Sequence, residues 1–161
     1  MYHYIVKQKL RRAFAHINAG HYERILPQFA AKHRHIMYGN HALGGERNTL
    51  ASTTQWYARL QRLLPDLSFN LQAVTVAGWP WNTTATVVWT DQFTLPDGTQ
   101  GNNQGVHVFT LAWGRVTSLV VHCDTEKLAG YCARLVAQGL VEAGATAISD
   151  NAGYEIARQS Y

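Results

Sequence analysis

The chain has 161 residues, of which 47% are hydrophobic and only 15% charged, with a formal net charge of +4. This length fits one compact domain, and the apolar content excludes intrinsic disorder. No run approaches the ~20 apolar residues of a membrane-spanning helix, and the basic start lacks the apolar segment of a secretory signal, so we expect a cytoplasmic protein with no membrane partner.

Helical spacing dominates the first part of the chain. Apolar residues three and four positions apart predict helices over residues 6–17 and 49–64, with a shorter helical pattern over 22–29 that contains Pro27. A loosely alternating run over 33–38 predicts a short strand, and the glycine-bearing segment 40–48 predicts a loop.

After residue 66 the pattern changes to that of strands. Four segments rich in Val, Thr, Phe and Trp, over 67–77, 83–95, 104–113 and 115–124, are separated by turn sequences and predict consecutive antiparallel strands. A last helix is predicted over 125–138. Helices followed by a strand meander indicate an α+β fold in which helices cover one face of a curved sheet. Because these strands carry apolar residues on both sides, we expect the second face to form a homodimer.

Polar residues converge on the last two of these strands. A tight hairpin at Gly114 pairs odd positions of one strand with even positions of the next, which predicts that His107, His122 and Asp124 share one face. In an apolar wall such groups need each other, a water or a ligand as partners. The alternative is that Asp124 only caps the helix beginning near Thr125, and that both histidines are ordinary wall or dimer-face residues.

Other candidate sites have weaker signals. A metal could be held by His33, His35, His41 and His107, but no HExxH motif or Cys/His pair is present, and we expect neither metal nor cofactor. Four tryptophans could line an aromatic pocket or pack in the core: Trp56, Trp79, Trp81 and Trp89. The two cysteines, Cys123 and Cys132, have neither zinc-site nor redox spacing, which indicates reduced thiols.

The charge distribution is uneven. Up to Arg62 there are ten Lys and Arg against two acidic residues, whereas the remaining residues carry four against eight. A basic surface can attract nucleic acid, but no basic run is longer than Arg11 and Arg12. Solvated helix faces are therefore the favoured interpretation, and nucleic acid is an unfavoured partner.

The order of several local strings resembles a known family. NHALGGERN, RLLPDL, GWPWNT, VVWTD, GVHVF, WGRV, the DT before the last helix and GLVEAGA together resemble the SnoaL-like polyketide cyclase branch of the nuclear transport factor 2-like superfamily, which includes ketosteroid isomerase. The resemblance covers about residues 5–148. It implies a single domain over 1–148 with a tail over 149–161, a cone-shaped sheet around a deep pocket closed by N-terminal helices, and dimerisation through the outer face of the sheet.

The resemblance also implies chemistry. Asp124 occupies the place of an acid/base aspartate at the end of the last strand, with His107 beside it on the inner wall. We expect a cofactor-free cyclase or isomerase that moves a proton on a small hydrophobic substrate containing a carbonyl group, with His107 or His122 donating to the enolate oxygen. The expected pocket wall comprises His35, Tyr38, Trp56, Trp89, Phe109 and Tyr131. The alternatives are a non-catalytic protein that binds a small hydrophobic molecule and an adaptor whose basic helical side contacts a macromolecule.

Overall fold

The computed structural model describes residues 1–150. It contains three helices, α1 (Tyr2–Asn18), α2 (Leu50–Leu63) and α3 (Thr125–Ala137), and six strands, β1 (Phe29–Met37), β2 (Gly45–Arg47), β3 (Ser68–Trp79), β4 (Asn82–Thr94), β5 (Gln100–Ala112) and β6 (Arg115–Cys123). Short 3-10 turns occupy Tyr22–Arg24, Leu26–Gln28 and Val141–Gly144. None of the helices within this described part is long and apolar enough to cross a bilayer.

The predicted α+β class is confirmed. All six strands form one curved, open sheet in the order β2-β1-β6-β5-β4-β3. Neighbouring strands are antiparallel except β1 and β6, which run parallel. The prediction missed β2, which lies inside the segment expected to be a loop. The segment around Pro27, predicted as one short helix, forms two 3-10 turns, and β1 begins at Phe29, four residues before the predicted strand.

The core lies between the helices and the inner face of the sheet. The apolar stripe of α1, with Val6, Leu10, Phe14 and Ile17, is buried, as the helical spacing predicted. On β4 the odd-numbered residues from Ala85 to Phe93 face the interior and the even-numbered residues face outward, and Val87 is completely buried. The two-residue period of a strand therefore decides which β4 side chains reach the interior.

A β-bulge changes the register of the last hairpin. Next to the turn Leu111 lies opposite Val116, whereas its neighbour Thr110 lies opposite Ser118, so Thr117 is an extra residue in β6. Side chains alternate between the two faces of a strand. The inserted residue therefore reverses the face of every later residue of β6, compared with a regular hairpin.

Candidate functional site

A cavity of about 50 Å³ lies between the inner face of the sheet and the helices α2 and α3. Its wall is largely apolar and aromatic, and five residues with polar or ionisable side chains line it: Tyr57, Asp91, Asn103, His107 and Cys123. A cavity needs at least about 10–15 Å³ to admit one water, and a water in the liquid occupies about 30 Å³, so this space holds only a few waters. The deep pocket implied by the resemblance is thus a narrow cavity in this structure. Trp56 and Leu60 of α2, with Leu64 directly after the helix, form much of one side of it.

Asp91 is the acidic residue of the cavity wall. It follows Val87 and Trp89 on the inward-facing side of β4, in a position where the alternation calls for an apolar residue. Burial raises the pKa of the carboxyl group to about 6, against the opposing effects of a backbone hydrogen bond from Asn103 and the charge of Lys127. Its Oδ1 atom is buried and has no hydrogen-bond partner among the described residues.

His107 is buried among aromatic rings. Its Nδ1 accepts a hydrogen bond of 2.7 Å from Trp89 Nε1, an atom that can only donate. The proton of the neutral ring is therefore on Nε2. Phe14 and Phe69 present their rings edge-on to it, and burial lowers the pKa of His107 to about 3. The imidazole is neutral at physiological pH and keeps one N–H available to donate.

The remaining ionisable groups of the cavity stay neutral near pH 7. Burial raises the pKa of the Cys123 thiol to about 11, and burial also raises the pKa of Tyr57 well above its ordinary value. Among the titratable side chains of this wall, Asp91 alone changes its charge close to neutral pH.

Asn103 connects the cavity to the beginning of α3. Its side-chain Nδ2 donates to the carbonyl oxygen of Asp124 at 3.0 Å, and its Oδ1 accepts from the backbone N–H of Asp124 at 3.2 Å. The amide is thereby fixed between β5 and the last helix. This anchor holds the end of β6, which carries Cys123, against the cavity.

The predicted grouping of His107 with His122 and Asp124 is wrong. Because of the bulge at Thr117, His107 lies opposite Val121, and both residues line the cavity. His122 and Asp124 are exposed. Asp124 caps α3 by accepting a hydrogen bond of 2.9 Å from the backbone N–H of Lys127, which is the alternative that the sequence left open.

The expected wall residues divide into two groups. Trp56, Trp89 and His107 line the cavity, and Phe109 lines a smaller adjoining space of about 30 Å³ that His107 also borders. His35, Tyr38 and Tyr131 do not line the cavity.

Each of these three residues is engaged elsewhere. His35 is completely buried and accepts a hydrogen bond of 3.0 Å from Arg47 Nε. Tyr38 is 37% exposed and packs against the ring of His122. Tyr131 lies on α3, where its hydroxyl accepts a hydrogen bond from the backbone of β5.

The sequence contained a signal for Asp91. An acidic residue at an odd-numbered position of β4, between Trp89 and Phe93, interrupts an otherwise apolar inward face. A carboxyl group at such a position must be desolvated, which marks it as a candidate functional group.

The histidines proposed as metal ligands have other partners. His33 bonds the carbonyl oxygen of Ala30 through Nδ1 and the hydroxyl of Thr53 through Nε2. Within residues 1–150, no group of three or more His, Cys, Asp or Glu side chains is arranged to hold a metal ion.

Solved structures with the same fold are numerous. A nuclear transport factor 2-like protein of unknown function from Burkholderia pseudomallei matches with a TM-score of 0.68 at 17% identity, over 78% of this chain and 95% of its own. AclR, described as a candidate hydroxylase from Streptomyces galilaeus, matches with a TM-score of 0.63 at 16% identity, over 81% and 84%. A candidate SnoaL-like polyketide cyclase from Jannaschia sp. CCS1 matches with a TM-score of 0.59 at 20% identity, over 76% and 87%.

The fold is therefore that of the nuclear transport factor 2-like proteins. The model of the SnoaL-like domain matches residues 10–119, which is most of the chain, and the protein belongs to this family. The resemblance seen in the sequence is thereby confirmed. No curated protein sequence matches this chain significantly. At these identities the structural matches establish the fold and leave the reaction to be argued from the site.

Proposed function

We propose that this protein catalyses acid/base proton transfer on a small hydrophobic substrate containing a carbonyl group, with Asp91 as the base. The observation that carries the proposal is a half-buried carboxyl group in an apolar cavity, with a pKa raised to about 6 and one oxygen without a partner. A base is most effective when its pKa lies near the working pH, because it is then both ionised and reactive.

His107 provides the complementary group. Proton removal next to a carbonyl builds negative charge on the carbonyl oxygen, and a neutral imidazole N–H can stabilise that charge by donating a hydrogen bond. The bond from Trp89 to Nδ1 fixes the tautomer with the proton on Nε2. Its low pKa keeps this ring from becoming charged, so it acts as a donor and does not compete with Asp91 as a base.

The register of β4 and β5 constrains the substrate. His107 lies opposite Val87, whereas Asp91 lies opposite Asn103, four residues further along. At about 3.3 Å per residue the two backbone positions are roughly 13 Å apart. The side chains project from these positions into one cavity and shorten this distance. A conjugated system would connect the carbon that loses the proton to Asp91 with the oxygen that gains charge beside His107.

The largely apolar wall of the cavity also supports a second candidate function, a non-catalytic protein that binds a small hydrophobic molecule. About 50 Å³ accommodates a few waters, so either function requires wall side chains such as Trp56 and Leu64 to move when a ligand enters. The two functions differ in whether a carbon-bound proton is exchanged.

An exchange assay separates them without knowledge of the natural substrate. The protein is incubated in D₂O with a panel of hydrophobic cyclic ketones and conjugated enones. Deuterium incorporation next to the carbonyl, and at the far end of the conjugated system of the enones, is followed by NMR. We expect exchange that increases with pH up to an inflection near 6. Replacement of Asp91 by Asn keeps the shape but removes the base, and is expected to reduce exchange by about 10² to 10⁴.

Asp124→Asn is the matched control. It makes the same chemical change at the exposed cap of α3, where Asn caps about as well as Asp, and exchange should be retained. Ligand binding by the wild type without any exchange across the panel would favour the binding protein. Full exchange by Asp91→Asn would exclude Asp91 as the base.

A further inference from the structure

Three tryptophans are exposed together at one end of the sheet. Trp79 is 67% exposed, Trp81 58% and Trp113 74%. Trp79 and Trp81 flank the turn between β3 and β4, and Trp113 lies on the turn between β5 and β6. We call these three residues the tryptophan cluster. Exposed apolar surface on this scale marks an interaction site, because water is a poor environment for large aromatic side chains.

The cluster is built into the fold. The rings of Trp79 and Trp81 stack at 5.8 Å between centroids and 5° between planes, and Trp113 lies 6.2 Å from Trp81. The backbone N–H of Trp113 donates to the carbonyl oxygen of Pro80 at 2.6 Å, which joins the two turns. With only 5.8 Å between the stacked rings, no sugar ring or nucleobase fits between Trp79 and Trp81.

The position of Trp113 is unfavourable for its residue type. It has a φ of 52° and precedes Gly114 at 76°, so both central residues of this turn adopt the left-handed conformation. Asn, Asp and Gly are the usual residues at such a position, and a bulky side chain there is uncommon. The turn itself therefore gives no reason for a tryptophan.

The beginning of α1 extends the same surface. His3 Nε2 contacts the carbonyl oxygen of Gly78 at 2.8 Å, which places this helix end beside the β3–β4 turn. Tyr4 and Ile5 on that end are 66% and 57% exposed. The tryptophan cluster is thus continuous with further exposed aromatic and aliphatic side chains.

The helix and strands that carry this surface have a positive net charge. Residues 1–22, 67–90 and 104–123 include five Lys and Arg and no Asp or Glu. Lys9 donates to the carbonyl oxygen of Gly114, within the turn of Trp113, and Arg115 follows directly. The charged residues beside the Trp113 turn are therefore both basic, and the acidic Glu23 of the adjoining 3-10 turn lies within ion-pair distance of His21 and Arg24.

We infer that the tryptophan cluster docks this protein onto the surface of a lipid bilayer that contains anionic headgroups. Indole rings favour the boundary between headgroups and acyl chains, where an apolar ring and a polar N–H are both accommodated. Each Lys or Arg near an anionic membrane adds about fivefold to the affinity. Charge complementarity thus favours this occupant.

This inference departs from the sequence-based expectation of no membrane partner. That expectation rested on the lack of a spanning segment, and the inference concerns contact with the membrane surface only. The two turns and the helix end meet only in the folded protein. Because β4 runs from this end towards Asp91, docking leaves the Asp91 end of the cavity facing away from the bilayer.

Binding to vesicles tests the inference. The full chain is mixed with vesicles of phosphatidylcholine alone, or with a quarter of phosphatidylglycerol, at low and at high salt. We expect co-sedimentation with the anionic vesicles at low salt, weakened by salt, together with a blue shift of tryptophan emission. The double variant Trp79→Ser and Trp81→Ser, and separately Trp113→Asn, should weaken binding at least tenfold, since Asn suits the left-handed turn position.

Charge variants complete the design. Arg12→Glu reverses an exposed charge on α1, whose outer groove also includes Ile5 and Lys9, and should weaken binding about tenfold or more. Lys127→Glu makes the same change on α3 at the opposite end of the sheet and should have less than a twofold effect. Thermal melting checks that each variant is folded.

Three results would overturn the inference. The first is a wild type that does not bind anionic vesicles at low salt, and the second is folded tryptophan variants that bind as the wild type does. The third is a wild type that sediments as a dimer and a double tryptophan variant that sediments as a monomer, neither of which binds vesicles. The cluster would then be an interface between two copies.

Discussion

Replacement of Asp91 by Asn should make the protein more stable at neutral pH while impairing its proposed chemistry. The pKa of Asp91 rises from its ordinary value of 3.8 to about 6 on folding, because burial disfavours the charged carboxylate. A difference of about 2 in pKa corresponds to about 3 kcal/mol. Since the side chain is only half-buried, solvent screening lowers this to about 1–2 kcal/mol.

The sign follows from which state holds the proton more tightly. Below pH 3.8 the carboxyl group is neutral in the folded and the unfolded chain, so it causes no penalty. Above pH 6 it is ionised in both states, and the folded protein bears the full cost of a desolvated charge. The penalty therefore develops as pH rises from about 4 to about 6, and the Asn variant avoids it.

Urea denaturation of both proteins at pH 4, 5, 6 and 7.5 measures the difference. We expect the stability of Asp91→Asn relative to the wild type to increase by about 1–2 kcal/mol over this range, which corresponds to about 2–8 °C in Tm for a chain of this size. Asp124→Asn, at the exposed cap of α3, should stay within about 0.5 kcal/mol of the wild type at pH 7.5. A relative stability of Asp91→Asn that is constant or falls as pH rises would refute the argument, because the carboxylate would then be well solvated or paired.

Two further predictions concern a buried cation and the outer face of the sheet. Arg47 is completely buried and donates to His35 Nδ1 at 3.0 Å and to three backbone carbonyl oxygens at 2.7–2.9 Å. Arg47→Met should therefore lower the free energy of unfolding, measured in urea, by at least about 3 kcal/mol, and Arg47→Lys should recover only part of this loss. A loss below about 1 kcal/mol would contradict this role. A homodimer through the outer face of the sheet remains a prediction. Val88 belongs to that face, where it is 41% exposed and lies opposite Val106, so Val88→Lys should give a monomer in sedimentation. The wild type and the control Val136→Lys, at an equally exposed position, should both give about twice 18.0 kDa. A monomeric wild type at high micromolar concentration would contradict it.

Local patterns in the sequence were sufficient for the three helices, for every strand except β2, and for the fold class. The spacing of Val6, Leu10 and Ile17 defined the buried stripe of α1, because a helix repeats every 3.6 residues whatever it packs against. Alternation and turn residues predicted β3 to β6, because a strand repeats every two residues whatever it packs against. The order of these elements, helices before strands, then restricted the architecture to an α+β sheet with helices on one face.

The positions of His122 and Asp124 depended on a single residue that these patterns do not specify. One extra residue in β6, Thr117, reverses which side of the strand faces inward, so His107 reaches the cavity while His122 and Asp124 are exposed. A bulge is a property of strand pairing and has no fixed sequence signature.

The sequence by itself therefore determined the three helices, the strands other than β2, their order and the inward alternation of β4, since these follow from backbone periodicity. Only the tertiary structure decided that Asp91 shares a cavity with His107, and that Trp79, Trp81 and Trp113 form one exposed surface. Both assemblies join residues from strands or turns that are distant in the chain. Their positions depend on strand register, which long-range packing determines and local sequence does not.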